Sequence, residues 1–204
     1  MIRILLLIVG YICGLFTTGY VLASARHIDI RHQGSGNIGA TNSMRVMGPL
    51  GGILVLLGDL LKSYIPCMIV KYLFRNDPAV MSYTAWTGLG AVLGHVFPFY
   101  LHFNGGKGMS TVAGMLLALD APLGGMLMLI FVVLVLTTRL VSLASCLCLA
   151  FMVAGVFVKH FPPEPAAIVC LIAALNLWRH KGNIQRLLAG SESKIEFRKA
   201  GEKK

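Results

Sequence analysis

Long apolar runs separated by short polar stretches set the pattern of this chain. Ile4–Val9, Gly51–Leu61 and Met126–Leu136 carry almost no charge, Asp59 being the exception. A helix needs ~20 apolar residues to cross a bilayer. The runs predict spans over residues 3–24, 49–73, 80–100, 110–119, 122–137, 140–159 and 164–179. Polar loops occupy 25–48 and 101–109, and a basic tail follows from His180. Arg3, an apolar run and Ala23-Ser24-Ala25 also match the outline of a signal peptide. The run from Ile4 to Ala23 is longer than a signal core, so an uncleaved first helix is expected. Asp120-Ala121-Pro122 divides Ser110–Leu136 into two segments, the first short and expected to be tilted or partly embedded.

Composition agrees with the pattern. Of 204 residues, 56% are hydrophobic and 13% charged, too apolar for an ordinary soluble domain. The expectation is a single all-α domain over 1–204, a polytopic integral membrane helical bundle of seven transmembrane segments. The net charge of +10 would point to nucleic acid on a soluble protein. Here its distribution follows the positive-inside rule, so no nucleic-acid partner is expected. Seven spans put the N-terminus outside and the C-terminus in the cytoplasm. Arg26, Arg31, Arg45, Lys107, Arg139, Arg179, Lys181 and Arg186 then share the cytoplasmic face, and only Arg3, Lys71, Arg75 and Lys159 lie outside. Six spans would put the basic tail opposite the other basic loops. The tail over 193–204 reads as solvated or bound to anionic membrane lipid. Cys13, Cys67, Cys146, Cys148 and Cys170 all sit in apolar runs and read as buried, unreactive thiols.

Chemistry collects in four places. Gly34–Asn42 mixes Gly with Ser35, Gly36, Asn37, Thr41 and Asn42, and Arg45 follows. Such a loop turns N–H groups toward an anion, and Arg adds a bidentate phosphate contact. Asp59 and Lys62, three apart, share a helix face within a span. A charge there costs at least ~2.5 kcal/mol, so the pair faces a cavity or neutralises itself. The third place is Gly94–Gly108, with His95 and Gly105-Gly106-Lys107-Gly108. Irregular backbone at membrane depth is tolerated only where it is buried or lines a cavity. Ser110 and Thr111 then open an apolar helix whose N-terminus favours an anion. The P-loop spacing fails: Leu101 stands where its first Gly belongs, and no Ser or Thr follows Lys107. Nucleotide hydrolysis is therefore disfavoured. The fourth place is Arg179–Glu192, where Asn183 and Arg186 are three apart.

Together these segments resemble the bacterial acyl-phosphate:glycerol-3-phosphate acyltransferases. The matching residues are Ser35–Asn42 (SGNIGATN) with Arg45, Gly58-Asp59 with Lys62, Gly94–Gly108 (GHVFPFYLHFNGGKG), and Asn183–Leu187 with Gly190 and Glu192. Asn104 departs from the resemblance, because the family often carries a basic residue there. The resemblance implies a seven-helix enzyme of the bacterial inner membrane, its site facing the cytoplasm. It implies acyl phosphate as donor, glycerol 3-phosphate as acceptor, no cofactor or metal, and a functional link to an enzyme that produces acyl phosphate. The HxxxxD motif of larger glycerol-phosphate acyltransferases is absent. Site roles follow as expectations. Ser35, His95 and Asn183 are the catalytic candidates. Arg45, Lys107 and Arg186 hold phosphates. Ser35, Asn37 and the Gly105–Gly106 backbone place the donor or stabilise an oxyanion, Asn183 and Asn42 orient the acceptor, and Gly36 belongs to the substrate-binding set. Asp59, Lys62, Ser110 and Thr111 complete the substrate-binding set. His95 reads either as general base or as a hydrogen-bond donor to phosphate. The competing reading is a transporter or channel for an anionic solute, against which the polar motifs gather on one face and no inverted repeat is evident.

Overall fold

The computed structural model describes residues 1–195, which are helical with no strand. Most of the tail expected over 193–204 lies outside the described residues. The helices are α1 (Ile2–Leu15), α2 (Thr18–Ser24), α3 (Ala40–Leu73), α4 (Val80–Val96), α5 (Met109–Leu119), α6 (Ala121–Thr138), α7 (Val141–Val158), α8 (Pro163–Arg179) and α9 (Lys181–Leu188). By length and composition four segments can cross a membrane: Ile2–Ser24, Ala40–Leu73, Ala121–Thr138 and Val141–Val158. Helix α5 is a shorter apolar helix, and α4 and α8 have 17 residues each.

The surface is apolar. Ile4, Ile8 and Ile12 of α1, Ile53, Leu57 and Ile65 of α3, and Leu129, Val133 and Leu136 of α6 are all exposed. A soluble protein rarely presents such patches, whereas a lipid-facing bundle must. Helix α6 buries only Leu123, Gly124 and Leu127 and lies at the periphery. The interior comes from α4, α5, α7 and α8, with Val92, Val96, Met115, Leu149, Met152, Val156, Val169 and Ile172 fully covered.

Lipid tails are as apolar as leucine, so close packing rather than apolar burial joins the helices. Gly10 and Gly14 of α1 face Gly90 and Gly94 of α4. A Cβ on Gly14 would lie 2.2 Å from the Ala91 carbonyl oxygen, and one on Gly94 would lie 2.2 Å from that of Tyr11. Only glycine at these G-x-x-x-G positions lets the backbones touch. Interhelical polar bonds add about 0.6 kcal/mol each. Ser63 Oγ donates to the Thr111 carbonyl at 2.6 Å and Lys71 Nζ to that of Ala118 at 2.7 Å. Beyond the site, Arg3 pairs with Glu164 at 2.6 Å, and Lys159 with Asp120 at 2.9 Å. Asp120 also caps α6 by accepting from the Leu123 N–H.

Three breaks differ from the expected pattern. The first span is discontinuous, because Phe16 and Thr17 are extended between α1 and α2. Side chains take the carbonyls this releases: Lys62 Nζ donates to Phe16 O at 2.9 Å, and Tyr100 Oη to Leu15 O at 2.7 Å. The polar loop expected over 25–48 ends early. Helix α3 begins at Ala40 and kinks at Gly48 (φ 81°, ψ 177°) before Pro49, which lacks the N–H needed to continue the ladder. The span expected over 80–100 stops at Val96, ahead of Pro98 and a 3₁₀ turn at Phe99–Leu101.

Candidate active site

A cavity of about 770 Å³ opens where the polar motifs meet. Three helices begin on it. Gly39, Ala40 and Thr41 start α3, Gly108, Met109 and Ser110 start α5, and Lys181, Gly182 and Asn183 start α9. None of the three carries a side-chain N-cap. Each uncapped N-terminus leaves N–H groups and the positive end of a helix dipole for a ligand. Gly108, at φ +92°, makes the turn into α5 in a conformation that L side chains rarely adopt. Arg45, Lys107, Arg179, Lys181 and Arg186 line the same space, against the acids Asp59 and Glu192. The arrangement has the charge and the free helix ends to hold more than one anionic group.

Lys107 donates to Asn183 Oδ1, and Asn183 Nδ2 donates to Glu192 Oε1 at 2.6 Å. Glu192 Oε2 accepts from Arg186 Nε at 2.7 Å. The sequence pair Asn183 and Arg186 thus converges on one carboxylate. Burial pushes the Lys107 ammonium down to about 8. Ser35, Asn37 and Arg45 also line the cavity, and Arg45 reaches the Ser193 carbonyl at 3.4 Å.

At the floor lie Asp59 and His95, 2% and 3% exposed. Asp59 Oδ1 pairs with Lys62 Nζ at 2.9 Å and accepts from Thr18 Oγ1 at 3.0 Å. Lys62 Nζ lies 2.6 Å from His95 Nδ1.

Several expected site residues take other positions. Gly105 and Gly106 direct their N–H groups to the Val96 and His95 carbonyls, at 3.0 and 3.1 Å. Those amides are engaged and are not oxyanion donors. The two glycines instead admit His95: a Cβ on Gly106 would lie 2.1 Å from Nε2. Thr111 is fully buried away from the cavity lining. Lys62 is likewise beneath the lining, its side chain 5% exposed. Asn42 borders the cavity, but its amide staples the preceding loop. Its Oδ1 accepts from the Ser35 N–H at 2.8 Å, and its Nδ2 donates to Gln33 O at 2.9 Å. Gly36 turns that loop at φ +70° and does not line the space. Asn104 is exposed, its amide donating to His102 O.

Other residues were not anticipated. Arg179 Nη2 donates to Gly105 O at 3.0 Å, which pins the glycine loop to the end of α8. His180 is 2% exposed and lines the cavity. Its Nδ1 lies 2.8 Å from Asn176 O, an acceptor only, so Nδ1 carries the proton and Nε2 is an acceptor with no partner among the described residues. Burial pushes His180 down to about 4, so it is neutral at pH 7. Ser142 is buried on the same lining, beside Glu192. His180 stands three residues before Asn183, a spacing that places both on one helical face, but the basic run around it reads first as a topology signal. Ser142 lies in an apolar run with no local signal.

An apolar annex of about 170 Å³ adjoins the polar cavity. Leu56, Met109, Ser110 and Phe131 line both, and Leu116, Leu127, Met128 and Met152 line the annex alone.

The glycerol-3-phosphate acyltransferase family model matches residues 4–190. The glycerol-3-phosphate acyltransferase of Trichlorobacter lovleyi is 42% identical over 188 residues, covering 92% of this chain and 94% of that protein. The Aquifex aeolicus protein of the same name is 37% identical over 190 residues, covering 93% and 97%. The crystal structure of PlsY, an integral membrane glycerol 3-phosphate acyltransferase, in its glycerol 3-phosphate form is 36% identical. It superimposes with a TM-score of 0.88 over 95% of this chain and 96% of that one. Its lysophosphatidic acid form superimposes with a TM-score of 0.86. The likeness in sequence and in fold extends over nearly the whole length, and this integral membrane chain belongs to the glycerol-3-phosphate acyltransferase family.

Proposed function

We propose that this chain moves a fatty acyl group from acyl phosphate to the 1-hydroxyl of glycerol 3-phosphate. The products are 1-acylglycerol 3-phosphate (lysophosphatidic acid) and inorganic phosphate. The chain crosses the bacterial inner membrane seven times with its N-terminus outside, and the site faces the cytoplasm. One observation carries the reading: three uncapped helix N-termini and five basic side chains surround one cavity that continues into an apolar annex. Both substrates bring a phosphate, and the donor also brings a fatty chain. The orientation is supported by Arg45, Lys107, Arg179 and Arg186, which line one cavity and so lie on one side of the membrane, as the positive-inside rule requires.

An acyl phosphate is a mixed anhydride with a good leaving group, so no covalent enzyme intermediate is needed. The glycerol hydroxyl oxygen attacks the acyl carbon. The new C–O bond forms as the C–O bond to phosphate breaks, and the hydroxyl proton passes to the departing phosphate. Arg45, Lys107 and Arg186 hold the phosphates. Asn183 and the neutral His180 Nε2 orient hydroxyl groups of the acceptor. Ser35 and Asn37 position the donor, and Ser110 marks the junction where the acyl chain leaves the polar cavity. Positioning and fixed electrostatics supply the rate. An enzyme that makes acyl phosphate supplies the donor.

The test is purified protein in lipid discs with acyl phosphate and glycerol 3-phosphate. Lysophosphatidic acid and phosphate are expected in equal amounts. Preference for acyl-CoA as donor would refute the donor assignment, and acyl chain trapped on Ser35 would refute direct transfer.

A further inference from the structure

We infer that the buried Asp59–Lys62 pair positions His95 as an Nε2–H donor at the cavity floor. The inference deepens the proposed acyl transfer and rests on it for the readout in turnover. Lys62 Nζ is ringed by three acceptors: Asp59 Oδ1 at 2.9 Å, Phe16 O at 2.9 Å and His95 Nδ1 at 2.6 Å. An ammonium has three hydrogens and no lone pair, so all three are committed and Nδ1 must offer its lone pair. Lys62 is the cationic partner of Asp59, because an unpaired carboxylate that is 2% exposed would be strongly destabilising. The imidazole proton therefore resides on Nε2. Among the described residues Nε2 makes no hydrogen bond. It lies against Gly106, where any Cβ would collide with it, and His95 lines the cavity. The ring presents a donor to an anionic oxygen of the substrate and has no lone pair left with which to take the hydroxyl proton. Asp59 and Lys62 are positioning residues that act through His95. The break after α1 takes part, because it frees the Phe16 carbonyl that completes the Lys62 shell.

Nitrogen NMR of ring-labelled histidine tests this in the full-length protein in lipid discs. The His95 signals are assigned by their loss in His95→Gln. Near neutral pH, Nδ1 is expected unprotonated and Nε2 protonated. A protonated Nδ1 in the wild-type protein would overturn the inference. Lys62→Met alone leaves a buried carboxylate, so the second protein is the neutral pair Asp59→Asn with Lys62→Met. It is expected to lose the single tautomer and to lower kcat by about tenfold or more, with the KM for glycerol 3-phosphate within about twofold of wild type. A folded double variant with the wild-type tautomer and kcat would also overturn it. The spectra read the tautomer without turnover, so failure of the proposed reaction would leave the positioning result standing, and the reverse also holds.

Discussion

In the proposed reaction, Lys107 is the residue whose chemistry most directly ties the cavity to a phosphate. Burial holds its pKa down to about 8, so it is a cation below that pH and neutral above it. The sign follows: phosphate binding that depends on the charge is complete well below pH 8 and is lost as pH rises through it. The KM for glycerol 3-phosphate is expected to climb by up to about tenfold per pH unit above this point. Lys107→Met should begin at the raised KM and show no such climb. A flat KM from pH 7 to 10 in the wild-type enzyme would remove Lys107 from phosphate binding. His180 does not add a transition in this window, because it is held neutral down to about 4.

At the scale of elements, α1 and α4 show how packing sets the site. Their Gly10, Gly14, Gly90 and Gly94 seam lets the backbones touch. That contact delivers the Phe16 carbonyl to Lys62, whose other partners are Asp59 and His95. Gly14→Leu places atoms where the Ala91 carbonyl lies and is expected to cost about 1–3 kcal/mol. Thermal unfolding in detergent should show a lowered Tm, with activity falling further than stability alone explains. An unchanged Tm would mean that the seam does not hold the two helices. Hydropathy makes the helices legible in the sequence, since α3 and α5–α8 begin or end within a few residues of where apolar character changes, once the turn of α3 before Gly48 is set aside. The break at Phe16-Thr17 is not legible, because its carbonyls are satisfied by Lys62 and Tyr100 from distant segments. The same holds within the site. Ser35, Arg45, Lys107 and Asn183 announce themselves by residue type among apolar runs. The role of Gly106 depends on a ring eleven residues earlier, and that of Arg179 on two carbonyls more than seventy residues away.

For the whole molecule, the polar cavity and its apolar annex together make a path from water to lipid. Ser110 and Phe131 stand at the junction, and the annex runs between α3, α5, α6 and α7. Helix α6 exposes Leu129, Val132 and Val133, so the space lies close to the bilayer. The annex is small for a long acyl chain, and a chain entering it must continue toward the lipid along the α6 face. In the proposed reaction, length selection then falls to the annex rather than to the phosphate site. Ala113 lines this space, and Ala113→Phe fills part of it without touching Lys107 or Asn183. The expected result is a fall of about tenfold in kcat/KM for long-chain relative to short-chain acyl phosphates, the usual scale of apolar pocket discrimination. The KM for glycerol 3-phosphate should stay at its wild-type value, because that substrate has no chain to place. Equal losses on long and short donors would show that the chain follows another route, and a raised KM for glycerol 3-phosphate would show that annex and cavity are not separable. A shift confined to the donor's chain length would mean that one fold sorts the two substrates by polarity, binding phosphates at uncapped helix ends and the fatty chain between lipid-facing helices.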